Sequence, residues 1–150
     1  MSEGERRSIL EANYNAVRAR VDKACERAGR RPEEVTLVAV SKTWPASDLQ
    51  ALYDVGVRHF GESYAQEWEE KAPQLPDDIQ WHFIGHLQSN KARLLAGKTH
   101  LVHSVDRNSL IKELSKRSKQ ARWRKLSRPC RRCRLRKLPH SRKRFKICRS

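Results

Sequence analysis

No stretch of the sequence approaches the roughly 20 consecutive apolar residues that a membrane-spanning helix requires. The opening segment Met1 to Arg7 has no apolar region of the kind a secretory signal carries. These absences predict a cytoplasmic chain with no membrane partner. Cysteine is scarce as well. Cys25 stands alone in residues 1–121, and Cys130, Cys133 and Cys148 lie beyond it, so a disulfide framework in the body is excluded by arithmetic. Acidic residues all but vanish toward the end: residues 112–150 carry 18 Lys and Arg against one acid, whereas residues 1–111 carry 15 against 16. The formal net charge of +16 therefore belongs to the last quarter, and the body is nearly neutral.

The length is also short of something. A chain of 150 residues fits one ordinary domain. A complete eight-stranded βα barrel typically takes ~250 residues and rarely fewer than ~200.

What is present is a regular alternation. Ser2-x-x-Glu5 reads as a capping box. Leu10, Tyr14, Val17, Val21, Ala24 and Ala28 then recur at helical spacing, and Gly29 and Pro32 close the helix. Val35–Val40 (VTLVAV) is a short β-branched run with little polar alternation, as expected of a strand buried on both faces in a parallel sheet. Strand candidates follow at Val57–Gly61, Ile79–Gly85 and Leu101–Val105. Helices are expected over Pro45–Val55, Tyr64–Lys71 and Leu87–Ala96, and Asp106 can cap a further one carrying Leu110, Ile111 and Leu114. The expected fold is α/β: about four βα units after one extra helix, the N-terminal half of a (β/α)8 TIM-type barrel. Residues 1–121 form the partial barrel and residues 122–150 an irregular basic tail, with no fifth strand in it.

In such a barrel the functional groups stand at the C-terminal ends of the strands. Lys42, two residues past Val40, falls at that mouth. A lysine held on a rigid strand end and partly desolvated has a lowered amine pKa, and becomes a usable nucleophile toward an aldehyde. Position alone favours a solvated loop lysine over a reactive one. His82, Ile84 and His86 surround the third strand end, and alternation puts all three on one face. His82 reads either as a satisfied core histidine or as a lining residue of the barrel interior.

Four segments carry a resemblance: Leu37–Pro45 (LVAVSKTWP), Phe60–Gln66 (FGESYAQ), Trp81–Lys91 (WHFIGHLQSNK) and His103–Arg107 (HSVDR). In order and spacing the body resembles the pyridoxal phosphate homeostasis protein family, relatives of the N-terminal barrel domain of alanine racemases. The resemblance implies pyridoxal 5′-phosphate (PLP) as cofactor, held as a Schiff base on Lys42. It also implies PLP (vitamin B6) homeostasis without catalytic turnover, with PLP-dependent apoenzymes as possible recipients. It places Ser63, Ile84 and His86 near the cofactor. Ser63 stands where the family usually has Asn, so a shorter side chain replaces one contact. The family's phosphate grip comes from Ser, Gly and Arg segments near the last strands, which this sequence lacks. Since a phosphate dianion needs several N–H donors or a bidentate Arg, an impaired, truncated site is expected.

Three readings compete for the tail. Trp123 and Phe145 among clustered arginines would suit a nucleic-acid-binding arm, the alternative function. Cys130, Cys133, His140 and Cys148 would suit a metal knuckle, though their spacing is loose and no metal site is assigned. The favoured reading is an out-of-frame terminus, because an Arg-, Pro-, Ser- and Cys-rich composition starts abruptly where the fifth strand should begin.

Overall fold

The computed structural model describes residues 2–120. Helix α1 (Glu3–Arg27) opens on the expected capping box, with the Ser2 hydroxyl accepting from the Glu5 N–H and the Glu5 carboxylate accepting from the Ser2 N–H. Gly29, at φ +61°, takes the left-handed position just past the helix that a side chain would resist. The expected apolar stripe is only partly used. Leu10, Tyr14 and Val21 are half-buried, whereas Val17 is 43% exposed. The helix packs mainly on one neighbour, α2 (Ala46–Asp54), and on the 3₁₀ turn Pro32–Glu34.

Four strands follow: β1 (Ala39–Val40), β2 (His59–Glu62), β3 (Gln80–Phe83) and β4 (Leu101–Val102). They pair in parallel in the order β1-β2-β3-β4, with registers Ala39↔Phe60, Phe60↔Trp81 and Phe83↔Val102. Helices α3 (Ala65–Lys71), α4 (Ala92–Leu95) and α5 (Asn108–Gln120) fill the remaining connections. The expected α/β class and the four βα units after one helix are therefore the observed architecture.

The element boundaries differ from the expectation for local reasons. The run Val35–Val40 forms ladder pairs only at Ala39 and Val40, opposite Phe60 and Gly61. The helix expected over Leu87–Ala96 is delayed: Leu87 is buried with its carbonyl accepting from the Arg107 guanidinium, and a 3₁₀ turn at Ser89–Lys91 precedes the short α4. Asp106 is not the cap of α5, which starts at Asn108. Its carboxylate instead takes the Arg107 guanidinium at 2.6 Å.

One face of the sheet is covered by the helices. Phe60, Trp81, Phe83 and Val102 pack there against Leu49, Trp68, Leu95, Leu110 and Leu114, all buried. Trp68 meets Trp81 edge-on, with centroids 6.5 Å apart. Each such large side chain contributes about 1.5–3 kcal/mol on burial. The other face presents Val38, Gly61 and Ile84, which approach one another closely. The tail readings built on Trp123, Cys130, Cys133, His140, Phe145 and Cys148 lie outside the described residues.

Candidate functional site

The C-terminal ends of β1, β2 and β3 bring most of the expected residues together. Lys42 is exposed in the turn that leaves β1, so the partial desolvation expected of it is not met; among the described residues its amine has no partner. Ser63 follows β2 and is half-buried. Its backbone crowds Gly85 after β3: a Cβ at position 85 would lie 2.1 Å from the Ser63 carbonyl oxygen. Only glycine permits that approach, and it sets Ser63 beside Ile84. His86, one residue further, is exposed, with Nδ1 3.6 Å from an Asp106 carboxylate oxygen. Strand alternation ends at Phe83, so His86 is not carried onto the inner face by periodicity.

The turn bearing Lys42 is held from beneath by a charged cluster that sequence reasoning missed. Ser41 is buried, and its N–H donates to the Gly61 carbonyl at 2.9 Å. Its hydroxyl donates to Glu62 Oε1 at 2.8 Å. Lys71, at the end of α3, is buried and donates through Nζ to the Ser41 carbonyl (2.8 Å), Glu62 Oε1 (2.9 Å) and Glu67 Oε1 (2.6 Å). The same Glu67 oxygen accepts the Thr43 N–H. Thr43 sits at φ +68°, which for a β-branched residue costs about 1–3 kcal/mol. A weak signal existed: Glu67 and Lys71 stand four apart, as helical ion pairs do, and Glu62 is an acid inside an otherwise apolar strand.

On the opposite face of the sheet, three histidines form a row across β2, β3 and the residue after β4. His59 Nδ1 lies 3.0 Å from His82 Nε2, and His82 Nδ1 lies 2.9 Å from His103 Nε2. His100 packs against the same rings, with centroids 5.3 Å from His82 and 5.9 Å from His59. Burial, reinforced by the neighbouring imidazoles, holds His82 down at about 3, and burial lowers His59 and His103 in the same direction. At neutral pH the row is uncharged, each ring giving one nitrogen as donor and one as acceptor. The core reading of His82 is the one observed: it is buried, with both ring nitrogens within hydrogen-bond distance of a neighbouring imidazole. Among the described residues no group of His, Cys, Asp and Glu is arranged to hold a metal ion, and no helix is long and apolar enough to cross a membrane.

This geometry, a free lysine at the end of the first strand of a parallel βα sheet, can be set against known proteins. The chain is 45% identical over 100 residues to the pyridoxal phosphate homeostasis protein of Aquifex aeolicus, covering 66% of this chain and 44% of that one. It is 44% identical over 107 residues to the Escherichia coli K12 protein of the same name, covering 69% and 46%. The chain belongs to the pyridoxal phosphate homeostasis protein family. It spans about half the length of the curated relatives it matches. No protein-family model matches. Among solved structures, a protein from Bifidobacterium adolescentis matches with a TM-score of 0.73 at 30% identity, covering 80% of this chain and 53% of that one. PipY of Synechococcus elongatus, a structure with PLP bound, matches with a TM-score of 0.56 at 37% identity, covering 67% and 48%. Within the family frame, Lys42, Ser63 and Ile84 occupy neighbouring strand ends, while His86 turns toward Asp106.

Proposed function

We propose that this chain binds pyridoxal 5′-phosphate through Lys42, as a reversible Schiff base, and holds the vitamin for PLP-dependent apoenzymes in the cytoplasm without turning over a substrate. The observation that carries this reading is the Lys42 amine: exposed and unpaired among the described residues, on a turn whose backbone is fixed. The residues fit the aldehyde end of the cofactor, since a free amine on an anchored backbone is the partner an aldehyde needs. When bound, the group supplies that aldehyde together with an aromatic ring and a phosphate. Ser63 and Ile84 lie at the adjoining strand ends and would flank the ring, with His86 at the rim. The phosphate end falls to segments that the family resemblance assigns to later strands. PLP bound in PipY, and the name its curated relatives carry, support the choice of ligand.

The test is direct. PLP added to the 150-residue chain should give an absorbance band that is lost in Lys42→Ala. Borohydride reduction followed by peptide mapping should place most of the label on Lys42. Label spread evenly over the exposed lysines would refute the assignment.

A further inference from the structure

The Lys42 amine has no partner among the described residues, while its carbonyl accepts from the Thr43 hydroxyl at 2.6 Å and both peptide groups beside it are held. The carbonyl of Ser41, the residue before it, accepts from Lys71 Nζ at 2.8 Å. The N–H of Thr43, the residue after it, donates to Glu67 Oε1. Those two side chains are themselves an ion pair at 2.6 Å, four residues apart on α3. Lys71 is 7% exposed and Glu62, which accepts from both Lys71 and the Ser41 hydroxyl, is fully buried. One ion pair thus grips the chain on either side of the candidate nucleophile, and it is seated on a buried carboxylate.

We propose that Lys71 and Glu67 form a positioning clamp for Lys42. The clamp holds Thr43 in its left-handed conformation, fixes the direction in which the Lys42 side chain leaves the backbone, and gives its amine an advantage over every other surface lysine. The proposal rests on the reading of Lys42 as the PLP-binding residue and adds to it the residues that prepare that lysine. A buried lysine is an expensive device, stable only while its charge is paired and its hydrogens satisfied. Here all three partners of Nζ are supplied. The pair spends two of its hydrogen bonds on the peptide groups flanking one exposed residue. Preorganised backbone is what raises effective concentration at a reacting group.

The experiment uses the full chain and two variants of the less buried partner, Glu67→Ala and Glu67→Gln. Two quantities are read for each: the share of borohydride-fixed PLP label found on Lys42, and the hydrogen-exchange protection of the Thr43 amide in the cofactor-free protein. Glu67→Ala should lower the Lys42 share about tenfold relative to the other lysines and abolish Thr43 protection, with the circular dichroism spectrum unchanged. Glu67→Gln keeps an acceptor for the Thr43 N–H and should restore most of both. Unchanged labelling and unchanged protection in folded Glu67→Ala would overturn the clamp. If the wild-type chain shows no preference for Lys42 while Thr43 protection still depends on residue 67, the PLP assignment falls and the clamp stands as a backbone device. Loss of folding in Glu67→Ala moves the decision to Glu67→Gln, where the Lys42 label share and Thr43 protection holding or falling together would support the clamp, and one lost with the other unchanged would overturn it.

Discussion

On the helix-covered face of the sheet, Glu62 and Lys71 are buried as a charged pair; on the other face, a buried His82 joins the half-buried His59 and the exposed His103 in a neutral row. Both sets depend on hydrogen bonds, but they respond to perturbation in opposite ways. The ion pair keeps its charges by exchanging water for partners, and so it fails when one partner is removed. The histidines keep themselves uncharged, and so they fail when protons are supplied. A buried titratable group can therefore be tolerated by pairing or by neutrality, and this small sheet uses one on each side.

Removing a partner should give the largest effect. Lys71→Met leaves Glu62 buried without a counter-charge and is expected to destabilise by about 3–5 kcal/mol, read by urea denaturation. Adding Glu62→Gln should recover part of that loss. If the double variant is no better than the single, the cost lies in packing rather than in unpaired charge.

Protons should give the next largest. His82 falls from an ordinary value of 6.5 to about 3 in the folded chain, so on acidification the unfolded chain takes up the proton first. Stability is complete above about pH 6.5 and declines toward pH 3 at up to about 1.4 kcal/mol per pH unit, so roughly 2 kcal/mol is lost by pH 5. Thermal melts at pH 7 and pH 5 should show this, and His82→Gln should flatten the slope. The residual slope belongs to His59 and His103, which shift the same way. A slope unaltered by His82→Gln would remove the histidine row from the account.

The smallest effect belongs to an exposed pair. His86 and Asp106 have side chains 68% and 53% exposed, and His86→Ala should change stability by less than about 0.5 kcal/mol. A larger loss would mean that burial is not what separates the pairs.

Much of the architecture was legible in the sequence because it rests on local signals. The Ser2/Glu5 box, the β-branched run before Lys42 and the twenty-residue spacing of strand ends are each encoded within a few neighbouring residues. What was not legible depends on partners far along the chain. β1 pairs with β2 only at Ala39 and Val40, twenty-one residues from its partners, and the late start of α4 goes with Arg107 reaching the Leu87 carbonyl across twenty residues. The site shows the same division. Lys42, Ser63, Ile84 and His86 stood out by position and motif. Glu62 and Lys71 did not, since nothing local says that an acid in a strand and a lysine nine residues on will meet under a turn that Ser41 begins.

Gly85 has a consequence for anyone who alters this protein. A side chain there would collide with the Ser63 backbone rather than with a movable atom, so the spacing between the ends of β2 and β3 is fixed by main chain alone. Ser63 can be exchanged for asparagine, or Ile84 for valine, without resetting that spacing. Position 85 cannot be exchanged at all, and it offers a fixed landmark against which changes in the surrounding loop can be designed.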